Sequence, residues 1–126
     1  MAVRAISVGG TATANTRTNF LSEEIKSRAR LLAVVVSWSG AAADDSFNVF
    51  TTRSPTPVPE PQPGDPPILS ALNVRPIVLG GAALAIPIQL WRLVEPPFRI
   101  ALSYNNTSTT DDRLVQVTVW YDDQPL

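Results

Sequence analysis

Residues 96–122 read PPFRIALSYNNTSTTDDRLVQVTVWYD, and this stretch decides the fold class. In its first part Phe98, Ile100, Leu102 and Tyr104 alternate with Arg99, Ala101 and Ser103, the two-residue period of a half-buried strand. In its last part Val115, Val117, Val119 and Tyr121 alternate with Leu114, Gln116, Thr118 and Trp120 in the same way. The intervening NNTSTTDD is polar turn material throughout, so the stretch predicts two strands joined as an antiparallel hairpin.

Working outward, RLLAVVVSW (30–38) is apolar at both parities and reads as a central strand covered on both sides. SGAAADD (39–45) supplies a turn, and SFNVFTT (46–52) resumes strand character, giving either a hairpin or a crossing between sheets. ILSALNVRPIVL (68–79) and ALAIPIQLW (83–91), split by Gly80-Gly81, predict two more strands, with Pro76 and Pro87 at edges or bulges. The first twenty residues are small, polar and Thr-rich, and predict an edge strand near Ala5–Val8 or an extended arm. Ser22, with Glu23 and Glu24 behind it, permits a short helix over 22–30, which would make the domain α+β instead. The reading the whole chain favours is a single all-β domain over 1–126: a β-sandwich, jelly-roll or immunoglobulin-like, of about seven to eight strands.

Between strands lies SPTPVPEPQPGDPP (54–67), in which seven prolines impose an extended polyproline II path. Fourteen such residues reach roughly 43 Å, more than a turn needs. Because loop-closure cost rises only with the logarithm of length, stability alone gives no reason to stiffen this segment, whereas pre-organised docking does. It is therefore expected to act as a strap against a partner, with Pro55, Pro57, Val58, Pro59, Pro61, Pro63, Pro66 and Pro67, together with Trp91, as interface residues.

Composition removes several function classes. Ten basic residues against eleven acidic ones give a net charge of −1, so no general field draws a nucleic-acid backbone. With neither cysteine nor histidine, the chain lacks a thiol nucleophile, thiolate metal ligands and the usual proton shuttle. No leader pattern opens it and no apolar run approaches a membrane span. Nine of the ten basic residues are arginine, a usage shared by GC-rich and thermophilic sources.

Four acidic doublets remain: Glu23-Glu24, Asp44-Asp45, Asp111-Asp112 and Asp122-Asp123. Three fall in turns or the tail, where Asp serves backbone hydrogen bonding, and a loop calcium site at Asp44, Asp45, Asp111 or Asp112 is the minority reading. A Ser-Lys dyad would have to use Lys26, the only lysine. Trp38, Trp91, Trp120, Tyr104 and Tyr121 would make a sugar-stacking platform if they shared an exposed face, but strand positions favour packing. No catalytic residue, cofactor or metal is expected.

The stretches ARLLAVVVSWSGAAADDSFNVF (29–50) and 96–122 resemble the strand-turn-strand texture of small β-sandwich structural proteins of bacteriophage and related virus particles. The resemblance implies a non-enzymatic virion component: a capsid cement, decoration or minor coat protein. Such a protein would assemble with itself, a trimer being the leading expectation, and with a major capsid protein. The alternative is a carbohydrate-binding or adhesion module of a phage tail or secreted protein.

Overall fold

The computed structural model describes residues 2–38, 45–60, 67–74, 84–89 and 93–125, with backbone only for 38, 67–74 and 84–89. Among them the chain is all-β, with nine strands: β1 (Val3–Ala12), β2 (Thr16–Leu21), β3 (Ala29–Trp38), β4 (Asp45–Thr52), β5 (Pro67–Val74), β6 (Leu84–Gln89), β7 (Leu93–Val94), β8 (Arg99–Asn106) and β9 (Arg113–Asp122). They form two sheets, one ordered β1-β9-β3-β6 with β7 further along β3, the other ordered β2-β8-β4-β5. Every strand pairing is antiparallel.

The core lies between the sheets and is built by the alternation read above. From β9, Val115, Val117 and Val119 point inward; from β8, Ile100, Leu102 and Tyr104 meet them; β3 adds Leu31, Val34 and Val36, and β4 adds Phe47 and Val49. Full burial of an aliphatic or aromatic side chain contributes roughly 1.5–3 kcal/mol over exposure, so these positions dominate stability. Phe47 and Tyr104 are direct cross-strand partners whose rings stack at 6.4 Å with an interplanar angle of 3°.

In β3 the pairing with β9 shifts register between Leu31 and Ala33, leaving Leu32 as the extra residue of a bulge. The bulge is why Leu31 and Val34 both face the core although three positions apart. The outer side of β3, with Leu32, Ala33, Val35 and Ser37, is half-buried, not fully covered as its apolar sequence suggests.

Three expectations are corrected. Strands β8 and β9 are not a hairpin: β8 pairs with β2 and β4 in one sheet, β9 with β1 and β3 in the other. Alternation says that each strand has one apolar face, and two strands satisfy this equally well side by side or across a core; the polar linker 107–112 spans the gap, and Asn106 closes it by donating from Nδ2 to the carbonyls of Ala12 and Asp111. Residues 22–28 form no helix; Ile25 bridges Phe98 through paired main-chain bonds of 2.7 and 3.1 Å. Residues 3–21 do not lie out as an arm; the alternative edge strand forms instead, longer than Ala5–Val8, as β1 paired along its length with β9, and it is followed by β2, paired with β8. The turn between them uses Asn15 at φ 56°, a left-handed position asparagine tolerates.

The pair β3 and β4 crosses between sheets, as one sequence reading allowed, and β6, which holds Pro87, is an edge strand as expected. Gly80-Gly81 and Pro76 lie outside the described residues.

Candidate functional site

The densest polar cluster sits at one end of the sandwich, where β4 begins, β8 ends and β9 begins. Asp45, 1% exposed, points inward from the first position of β4. Its Oδ2 accepts a hydrogen bond of 2.6 Å from the Tyr104 hydroxyl, and its Oδ1 accepts from the Thr107 backbone N–H and hydroxyl, both at 2.9 Å. The Arg113 guanidinium, also buried, brings Nε to 3.5 Å from Oδ2, close enough for charge attraction though Nε itself donates no hydrogen bond. Burial, and then the bond to Asp45, push the Tyr104 phenol well above its usual range.

This constellation holds; it does not react. A general acid or base must reach substrate, and both carboxylate oxygens here are occupied by protein donors out of solvent. Asp45 therefore works as a clamp joining three strands and a loop. Asp112 does similar work at the surface, accepting from the Ala14 N–H at 2.9 Å and fastening the β8–β9 linker to the β1–β2 turn. Asp45, Asp111 and Asp112 do not converge, and no cluster able to hold a metal occurs among the described residues; Asp44 lies outside them.

At the opposite end of the sandwich, an open depression of about 390 Å³ is lined by Glu23, Glu24, Lys26 and Arg99, charges of both signs. Ser22 beside it is engaged, its hydroxyl donating to the Glu23 carbonyl and accepting from the Ile100 N–H. Near this end the Ala2 N–H donates to Asp122, and Arg4 pairs with Asp123. The N–H of Gln124, and then that of Ala2, hold the Asp122 carboxyl below its usual range.

The proline segment divides. Pro55, Pro57 and Pro59 are exposed and Val58 is half-buried, while Pro67 is the first residue of β5; Pro61, Pro63, Pro66 and Trp91 lie outside the described residues. The described part is organised locally, by Ser54 and Thr56 bonding one another. Of the five aromatic candidates, Tyr104 and Tyr121 belong to the core, Trp120 is half-buried on the outer side of β9, Trp38 is described by backbone alone, and Trp91 is not described.

What the sequence reading did not single out is the contrast between surfaces. On the β2-β8-β4-β5 sheet, the partners Phe50 and Ala101, and Ser103 two residues further along β8, lie on the face away from the core, yet all are fully buried. The β1-β9-β3-β6 sheet instead exposes Ala5, Ser7, Gly9 and Thr11 of β1 beside Leu114 and Gln116 of β9. Its edge strand β1 is ten residues long, and among the described residues nothing pairs with its outer side. The signal was present in Ala5-Ile6-Ser7-Val8-Gly9-Gly10: a strand-length run with no proline or charge, in which small Ala5, Ser7 and Gly9 alternate with apolar Ile6 and Val8.

No protein-family model matches the chain, and no curated protein matches its sequence.

Proposed function

We propose that this chain is a non-enzymatic structural component of a virus particle, a capsid cement, decoration or minor coat protein. The observation that carries the reading is the strand order. The order β1-β9-β3-β6 against β2-β8-β4-β5, in which the chain changes sheet at β1–β2, β2–β3, β3–β4, β5–β6, β7–β8 and β8–β9, supports reading the sandwich as a jelly roll. That architecture closes two Greek keys and serves viral capsid domains, lectins and cupins. Architecture alone does not assign function, and the strand texture of 29–50 and 96–122 is what turns it toward virions. The engagement of Asp45, Tyr104 and Arg113 in a sealed clamp fits a protein whose work is holding shape.

A second reading, a carbohydrate-binding module, draws on the half-exposed Trp120, since jelly rolls also serve as lectins. A mass-spectrometric inventory of purified particles from the source of this chain separates the two. The structural reading expects it in stoichiometric amounts; its absence, together with a saturable sugar-specific change in tryptophan fluorescence, transfers the assignment to the binding module.

A further inference from the structure

We infer that β1 is an assembly edge whose occupant is the β1 strand of a second copy, paired antiparallel across a two-fold axis at Ser7. An edge strand presents a row of unused N–H and C=O groups, and proteins that must stay apart interrupt it with proline, charge, a bulge or shortness. Strand β1 has none of these along most of its length. It runs ten residues, its register with β9 is unbroken from Val3 to Ala12, and its one charged residue, Arg4, is already paired with Asp123. The opposite edge of the same sheet is protected: β6 carries Pro87 within its six residues. Strand addition is thus better served by β1 than by β6.

A second copy fits because the strand complements itself. With the axis at Ser7, Val3 faces Thr11 and Ala5 faces Gly9 on the outer side, while Ile6 faces Val8 on the core side. Ile6 and Val8 belong to the core or pack against it, so the pairing extends the apolar layer from one sandwich into the next. Each Arg4 lies opposite Gly10 of the other copy, so no like charges meet. Ten residues at about 3.4 Å by one sheet spacing of about 10 Å give roughly 340 Å² per copy, below the ~800 Å² per partner of a stable complex. The free dimer is consequently weak, and up to about ten main-chain bonds supply its specificity. Because both copies use the same edge across a two-fold axis, the pairing at β1 closes at two.

This inference concerns the purified chain alone, so it stands or falls independently of the virion reading. The sequence contains no cysteine, which makes a single-cysteine trap clean. Under mild oxidation Ser7→Cys is expected to form a covalent dimer at least tenfold faster than Thr109→Cys, an exposed position on the β8–β9 linker. In light scattering from about 1 μM to about 1 mM, where a small interface dissociates, wild type is expected to move from monomer toward dimer. Ser7→Lys, which sets two like charges opposite each other, should weaken that association at least tenfold. Should Ser7→Lys fail to fold, concentration-dependent protection of the β1 amides against hydrogen exchange in wild type provides the same reading. Equal trapping at both cysteines, no concentration dependence up to the millimolar range, or a trimer as the first associated species overturns the inference.

Discussion

Removing one oxygen atom from the core, in Tyr104→Phe, tests whether the Asp45 clamp holds the loop end together. The ring is fully buried and keeps its stack on Phe47, so the change deletes only the hydroxyl and its 2.6 Å bond to a carboxylate that is itself 1% exposed. Hydrogen bonds to buried charges are worth about 1.5–3 kcal/mol. Because Asp45 retains both Thr107 donors and the Arg113 charge, the loss should fall in the lower half of that range, about 2 kcal/mol, or roughly 6–12 °C in Tm for a domain of this size. Urea unfolding followed by tryptophan fluorescence measures it, and Asp45→Ala provides the upper comparison at about 3–5 kcal/mol, since it strands a buried arginine. The pH dependence carries a definite sign. A phenol held neutral in the folded state gives stability that is complete below the ordinary tyrosine value near 10 and is lost as pH rises above it, as unfolded chains ionise first. Wild type should therefore lose its advantage over Tyr104→Phe in that alkaline range. A Tyr104→Phe variant within about 0.5 kcal/mol of wild type, or a Tyr104→Phe/Asp45→Asn cycle with additive effects, would refute the clamp.

Gly9→Ala should destabilise by about 1–3 kcal/mol in the same assay, because a Cβ there would sit 2.1 Å from the Val115 carbonyl oxygen and 2.8 Å from the Gln116 Cα, both backbone atoms of β9. Leu102→Ala, opening space in a fully buried site between the sheets, should cost about 2–5 kcal/mol. Asp122→Asn should matter under mild conditions and cease to matter in acid: a carboxyl whose folded pKa is depressed adds stability above its unfolded value near 4, lost as pH falls through the folded value, so the variant and wild-type urea midpoints should converge there. Leu114→Lys, at a side chain 64% exposed on the outer face, should change stability by no more than about 0.5 kcal/mol.

The sequence made strand existence legible and strand partnership illegible. The two-residue period at Phe98–Tyr104 and Val115–Tyr121 marked β8 and β9 and the inward members of each, because burial on one face imposes that period directly. It did not reveal that the two strands lie in opposite sheets, since a shared core is satisfied by facing strands as well as by adjacent ones. Strand β1 was nearly missed for a related reason. An edge strand buries little, so Val8 and Ala12 are its only buried residues, and the alternation that identifies central strands hardly develops. The Asp45–Arg113 pair had no local signature at all; its members stand in different sheets and meet only once β4 and β9 have been folded against each other. The proline segment was legible as extended sequence, but composition could not place its contacts, and Pro55, Pro57 and Pro59 are exposed.

The two edges of the β1-β9-β3-β6 sheet explain why association, where it occurs, should be finite. If both were open, copies would add edge to edge without limit, the route by which flat sheets aggregate. Here Pro87 removes a main-chain donor from the β6 edge, while β1 keeps all of its donors and has small side chains that let another backbone approach. Within this sheet, one protected edge and one open edge permit a closed pair through β1 and give no ribbon through it. The same asymmetry makes Pro87→Val a revealing substitution. If proline serves to blunt β6, restoring its N–H should leave the sandwich folded yet convert a closed dimer into larger, concentration-dependent assemblies in light scattering. A Pro87→Val protein that stops at the wild-type size would show that β6 is closed by something other than its proline.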